Sequence, residues 1–258
     1  MFDRITPLIL TFNEAPNIRR TLEKLQWARE IVVIDSFSTD KTLEILRTFS
    51  QVKVIQRKFD DHTSQWNYGL DQISTEWVLS VDADYILEQG FEDELATLNF
   101  LPDISAYAAS FRYCINGKPL RGTLYPPRCV LFRRASCRYE QDGHTQLLKV
   151  NGSTGQLRSR ILHDDRKPLS HWIQAQDRYA KLEAQKLLVS EDQLSIQDRI
   201  RRCVIVAPFL VFFYTLLGKG LIFDGWPGWF YVFQRVLAEL MLSLRLIEAK
   251  IGKLKSEN

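Results

Sequence analysis

The sequence predicts an α/β fold, a mixed and mostly parallel sheet with flanking helices, followed by amphipathic and hydrophobic C-terminal helices. Three observations carry this. Apolar, β-branched runs alternate with segments of helical period over roughly the first hundred residues, the pattern of a sheet built through crossovers. The middle of the chain holds strand-like runs separated by turn residues, which adds mixed pairing. The last sixty or so residues change to aromatic-rich apolar stretches flanked by arginines, which are too short to be membrane-crossing helices of ~20 residues.

Ile5–Thr11 reads as the first strand. The turn Asn13-Glu14-Ala15-Pro16-Asn17 follows, with Pro16 placed to open a helix reaching about Trp27. Glu30–Asp35 contains Ile31-Val32-Val33-Ile34, a buried strand. Ser38-Thr39-Asp40 precedes a helix with Leu43, Leu46 and Phe49 on one face. Val52–Ile55 is a third strand, Thr63–Ile73 a helix, and Trp77–Val81 a fourth strand. Ala106–Ile115, Cys129–Arg133 and Gln146–Val150 read as further strands, and His171–Val189 as a helix. A break is expected at Gly218-Lys219-Gly220 and another at Asp224-Gly225-Trp226-Pro227-Gly228-Trp229. The expected division is a catalytic domain over 1–195 and a helical segment over 196–258.

Composition excludes several classes. The chain has 258 residues, 45% apolar and 25% charged, with a formal net charge of +3. Such a charge does not suggest a nucleic-acid partner. Cys114, Cys129, Cys137 and Cys203 show neither CxxC pairing nor zinc spacing and read as reduced thiols of a cytosolic protein. No signal peptide is evident at the N-terminus. Neither GxGxxG nor GxxxxGK[ST] is present, which removes the main support for dinucleotide and P-loop sites.

The chemistry centres on Asp82-Ala83-Asp84, directly after the apolar run Trp77–Val81. Two carboxylates at the C-terminal end of a buried strand sit where open α/β sheets bind ligands. Adjacent like charges need a compensating cation, and oxygen ligands favour Mg²⁺ or Mn²⁺. Asp84 is expected to bind the metal directly, and Asp82 to contact a ribose or a metal-bound water. Thr11, Asn13, Glu14 and Asp35 follow the first two strands and share this sheet edge. Asn67 and Gly69 lie on the helix before the acidic strand, and Gly69 suits close packing or close ligand approach. Arg128, Arg133 and Arg134 lie near the expected floor for a second substrate, Tyr113, Tyr125 and Trp172 offer aromatic faces, and Arg166 and Lys167 can hold a diphosphate. The segment from about 199 to 250 sets basic residues beside apolar stretches, which suits an element lying in a membrane interface; a buried helix pair or a homo-oligomer contact is the alternative.

The series Thr11-Phe12-Asn13-Glu14, Val33-Ile34-Asp35-Ser36, Ser38-Thr39-Asp40, Gln65-Trp66-Asn67-Tyr68-Gly69 and Leu79-Ser80-Val81-Asp82-Ala83-Asp84 resembles family 2 glycosyltransferases of Rossmann-like GT-A fold. The resemblance implies that Thr11, Asn13, Glu14, Asp35 and Asn67 line the nucleotide site with Asp82, and that Asp82 and Asp84 form the DxD motif. It implies an inverting enzyme using Mg²⁺ or Mn²⁺ and a nucleotide-sugar, a UDP-sugar by preference. The later chain is similar to the branch containing lipopolysaccharide core β-1,4-glucosyltransferases, through Ile161-Leu162-His163, a Tyr179-containing helix, Pro208–Tyr214, Asp224-Gly225 and Gly228. By that likeness His163 is a further metal or diphosphate ligand, and the acceptor is a glycan or glycolipid at the cytoplasmic face of the cell membrane. At His144-Thr145 the chain departs from the branch, which often carries His-Glu. The general base is therefore sought in Asp142, then Glu140 and His144. The competing readings are a sugar nucleotidyltransferase, which typically carries a Gly-rich loop after the first strand, and a catalytically inactive membrane-associated scaffold.

Overall fold

The computed structural model describes residues 2–142, 145–189 and 195–256. The chain divides into two compact units, residues 1–119 with 125–166, and residues 120–124 with 167–258. The helix expected at 171–189 is thus grouped with the C-terminal helices.

The first unit is built on β1 (Ile5–Thr11), α1 (Ile18–Glu23), β2 (Ile31–Asp35), α2 (Thr42–Leu46), β3 (Val52–Gln56), α3 (His62–Asp71) and β4 (Trp77–Asp82). β1 pairs parallel with β2 and with β4, and β2 pairs parallel with β3. β1, β2 and β4 are buried at nearly every position because both faces are covered, while β3 at the edge is partly exposed. Ile5, Ile9, Val33 and Leu79 enter one core; Leu8, Val32, Ile34 and Val78 enter the other. Gly69 lets α3 seat on the sheet: a Cβ there would stand 2.7 Å from Leu8 Cδ1 and 3.2 Å from Ile34 Cγ1. Its role is close packing.

The chain continues through β5 (Tyr85–Leu87), α4 (Phe91–Thr97), β6 (Ile104–Ile115), β7 (Lys118–Pro119), β8 (Arg128–Arg133), β9 (Cys137–Asp142), β10 (Thr145–Val150) and β11 (Ser153–His163). The main sheet runs β3-β2-β1-β4-β8-β6-β11-β5, with β7 on β6, and β9 and β10 form a separate antiparallel pair. β8 is antiparallel to β4 and to β6, and β11 is parallel to β6. Register fixes what meets at the rim: Thr11 lies opposite Asp35, Leu10 opposite Asp82, and Tyr85 opposite His163.

The second unit contains α5 (Leu169–Val189), α6 (Ile196–Arg202), α7 (Val206–Phe213) and α8 (Trp226–Ser256). Ser195 and Asp198 form a reciprocal capping box at the start of α6. Ala180, Ala184 and Leu187 of α5 pack with Leu242 and Leu246 of α8. Arg201 bridges Glu183 and Glu239 at 3.4 and 3.3 Å. Where the sequence suggested a break at 224–229, α8 begins and runs for 31 residues. Pro227 falls in its first turn, where no N–H is needed. Gly228 lies so close to the Leu221 carbonyl that a Cβ would stand 2.0 Å from its oxygen.

Candidate active site

The loops after β1 and β2 are stapled together. Asp35 is fully buried. Its Oδ1 accepts from Thr11 Oγ1 (2.9 Å) and Ser38 Oγ (2.5 Å), and its Oδ2 accepts from Ser38 N (3.0 Å) and Gln56 Nε2 (3.2 Å). Asn13 has a φ of 55°, a left-handed conformation that Asn tolerates. Its Oδ1 accepts from Thr39 N (2.8 Å) and Asp40 N (3.3 Å), while its own N–H donates to Ser38 Oγ (2.9 Å). Glu14 N donates to Thr42 Oγ1 (2.7 Å), and Glu14 Oε2 accepts from Asn17 (3.0 Å). Phe37 holds a φ of 59° and, like Phe12, is about half exposed. A bulky residue in that region is a genuine outlier, and such outliers cluster at functional sites.

The acidic pair sits at the end of β4. Thr21 Oγ1 on α1 donates to the Ala83 carbonyl (2.6 Å), and Asp164 N donates to the Asp84 carbonyl (3.1 Å), so the turn carrying both carboxylates is held from two sides. Each carboxylate has its own buried partner. Asp84 Oδ2 lies 3.1 Å from His163 Nε2. The Tyr85 hydroxyl donates to Asp82 and also contacts the Tyr125 hydroxyl. His163 is walled by the rings of Tyr113, Tyr125 and Tyr85, with centroids at 4.7, 4.9 and 5.3 Å. Arg128 lies over the Tyr125 ring at 4.6 Å.

This crowding sets the protonation states. Burial, then the charge of Asp84, push the Asp82 carboxyl above its ordinary value, against the opposing pull of Arg128, Tyr85 and His163. Burial disfavours a charged His163, but the charge and hydrogen bond of Asp84, then Asp82, outweigh it and raise the imidazole pKa. Burial, then Asp82, raise both Tyr85 and Tyr125, which keeps them as hydroxyl donors at neutral pH. The other ring nitrogen of His163, Nδ1, is buried and makes no hydrogen bond among the described residues.

Other residues singled out from the sequence are placed differently. Both ends of the Asn67 amide engage the Tyr139 backbone, donating to its carbonyl at 2.9 Å and accepting from its N–H at 3.0 Å. Glu140 pairs with Lys149 Nζ at 2.9 Å. The Asp142 side chain and His144 lie outside the described residues. Arg133 pairs with Glu76 and lies over Trp77. Arg166 and Arg20 both hold the buried Asp164, at 3.0 and 2.5 Å. Trp172 and Lys167 belong to the second unit. Among the described residues, no three His, Cys, Asp or Glu side chains converge as a metal-binding group. A divalent cation of the Mg²⁺ type needs only one or two carboxylates when substrate phosphates supply the rest. Sequence reasoning missed Tyr85 and Thr21. Tyr85 had a local signal, since it directly follows the acidic pair.

The family model described as glycosyl transferase family 2 matches residues 8–158, more than half of the chain, and includes Thr11, Asp35, Asp82 and Asp84, while His163 lies just beyond it. The chain belongs to glycosyl transferase family 2. Among relatives of this family-2 chain, the lipopolysaccharide core biosynthesis glycosyltransferase LpsC of Rhizobium meliloti is 24% identical over 201 residues, 72% of each chain. An uncharacterized glycosyltransferase of Rickettsia bellii is 32% identical over 93 residues, 36% of this chain and 31% of that protein. The chain thus matches about a third of that relative's length. Among solved structures, the mannosyltransferase PcManGT from Pyrobaculum calidifontis, in complex with GDP-Man and Mn²⁺, aligns over 99% of this chain and 88% of that one, at 14% identity and a TM-score of 0.52. TarS 1-349 from S. aureus, in complex with UDP-GlcNAc, aligns over 96% and 92%, at 14% identity and a TM-score of 0.50. At these identities the likeness is one of fold, and the family-2 chain has the GT-A fold.

Proposed function

We propose that the protein is an inverting, metal-dependent glycosyltransferase that moves a sugar from a nucleotide-sugar, a UDP-sugar by preference, to a lipid-linked or lipopolysaccharide-type acceptor at the cytoplasmic face of the membrane. One observation carries the reading: two carboxylates one residue apart are clamped at the rim of the sheet, where burial, then the charge of Asp84, hold the Asp82 carboxyl above its ordinary value. A bound Mg²⁺ or Mn²⁺ would supply Lewis-acid stabilisation of the charge that develops on the departing nucleoside diphosphate. Asp84 is the ligand to that ion. Asp82, held by Tyr85, contacts the ribose or a metal-bound water. His163 presents a raised-pKa imidazole toward the same charge.

The stapled loops receive the nucleotide. Asp35 organises Thr11, Ser38 and Gln56, and Phe12 and Phe37 supply exposed aromatic faces suited to a base. The general base that takes the acceptor proton comes from Asp142, Glu140 or His144. The complexes of TarS with UDP-GlcNAc and of PcManGT with GDP-Man and Mn²⁺ support the donor class and the metal. The name of LpsC supports the acceptor class.

The membrane reading rests on the second unit. No helix among the described residues is long and apolar enough to cross a membrane. The unit nevertheless exposes Phe209, Phe213, Leu217 and Phe223, and it carries 14 Lys and Arg against nine Asp and Glu. That is a formal +5 in a chain of +3, so the first unit is net −2. An apolar face on a basic unit suits an anionic membrane surface.

A panel of UDP-, GDP- and TDP-sugars, each titrated with and without Mn²⁺, tests the donor and metal. At least one donor should bind and be slowly hydrolysed only with the cation. Absence of metal-dependent binding across the panel would leave an inactive scaffold.

A further inference from the structure

The second unit contains an apolar groove of about 580 Å³. Val204, Phe209, Phe212 and Phe213 form one side, and Leu240 and Leu244 of α8 line the other. Its volume falls in the range of small-molecule sites, ~300–1,000 Å³. Among the described residues Ser243 is the only polar one in the lining, and its hydroxyl already donates to the Val204 carbonyl at 2.8 Å. No lining side chain is left to donate a hydrogen bond to an occupant.

That property selects among occupants. Protein interfaces carry about one hydrogen bond per 100–200 Å² and keep polar groups among their contacts. A hydrocarbon chain needs none and is the best match to a dry trough. The charge around the groove points the same way. Arg199 and Arg202 stand on α6, which ends two residues before Val204, and the unit is net +5. A chain with an acidic head complements both features.

We infer that the groove binds the hydrocarbon tail of a single anionic lipid, with its head group toward the arginines of α6. This rests on the membrane-interface reading above and deepens it. The second unit then does more than adsorb to a surface, because it withdraws one lipid tail into a defined site.

The test titrates cis-parinaric acid, an anionic fatty acid that fluoresces in dry surroundings, into the full chain. Binding should saturate at one probe per chain, and hexadecyl phosphate but not inorganic phosphate should displace it. Leu244→Glu changes a position that is 66% exposed, so the fold should survive, and a charge in the groove should weaken probe binding at least ~10-fold. Leu240→Ser, a second lining change, should weaken it in the same direction. Phe223→Ser lies outside the lining and should leave it unchanged. Sedimentation with phosphatidylglycerol vesicles, run in parallel, separates the two readings. Wild type that fails to sediment refutes the membrane seat, while saturable probe binding would still uphold the groove. Wild type that sediments with unsaturable probe binding, or with binding that survives both lining changes, refutes the groove. A dimer that Leu244→Glu dissociates, with no probe uptake, would give the groove to a second copy and overturn the inference.

Discussion

Replacing Asp82 by Asn should stabilise the protein while crippling it. Carboxylates one residue apart stand on the order of 6 Å from each other, where an effective dielectric near 20 gives roughly 3 kcal/mol of repulsion. Arg128 and His163 offset part of this at Asp82, so the relief expected from Asn is about 1–2 kcal/mol, or about 3–6 °C in Tm for a chain of this size. Asn keeps an oxygen for the Tyr85 hydroxyl, so little else is lost. The pH dependence has a definite sign. An acid whose native pKa is raised binds more protons folded than unfolded between its two values, so stability falls as pH rises through that window. The Asn variant lacks this cost. Its advantage should be full above the raised native value and vanish as pH approaches the ordinary aspartate value of 3.8. Calorimetry in EDTA at several pH values measures this. Saturating Mn²⁺ and UDP should then favour wild type by about 2.7 kcal/mol at 100 times Kd, reversing the order. An Asn variant that melts at or below wild type in EDTA at neutral pH would refute the claim that the pair is electrostatically unsatisfied.

Asp84→Ala should lower transfer by about 10²–10³-fold or more, the range for losing one electrostatic element of a site, with an unchanged circular dichroism spectrum. Retained turnover would remove the metal role from Asp84. Asn67→Ala leaves the backbone N–H and carbonyl of Tyr139 without their partners and should cost about 1–3 kcal/mol in urea unfolding. Its donor KM should change little, and a large KM effect with unchanged stability would return Asn67 to the nucleotide site.

The parallel half of the fold was legible because β1, β2 and β4 are buried on both faces. Continuous runs such as Ile31–Ile34 and Trp77–Val81 leave little choice of element. β5, β9 and β11 were not legible. β5 has three residues. β9 reads Cys-Arg-Tyr-Glu-Gln-Asp, and β11 opens with Ser-Thr-Gly-Gln, sequences whose pairing is fixed by neighbours rather than by local preference. The same divide runs through the site. Asp82 and Asp84 announced themselves by following a strand. Two of the four bonds to Asp35 are local, from Ser38, while those from Thr11 and Gln56 come from 24 and 21 positions away and depend on strand register. The partnership of Asp84 with His163 spans 79 positions and depends on β11 pairing with β5, neither of which the sequence revealed as a strand.

A comparison inside the chain argues that the pair is there for chemistry rather than for the fold. Asp164 is also buried, one residue after His163. The protein surrounds it with Arg20 and Arg166 and with the Gly117 N–H at 2.9 Å. Two fixed cations and a backbone donor meet one carboxylate, as burial of a charge requires. Asp82 and Asp84 have His163, Tyr85 and the partial influence of Arg128 among their partners, and burial, then the charge of Asp84, keep the Asp82 carboxyl raised. The fold thus sets two guanidinium groups against one buried acid in this loop system and, at the rim, sets two acids within reach of each other's charge. An acidic pair held in place by Thr21 and by the Asp164 N–H is what a site needs if a mobile cation, arriving with its diphosphate, is to complete it.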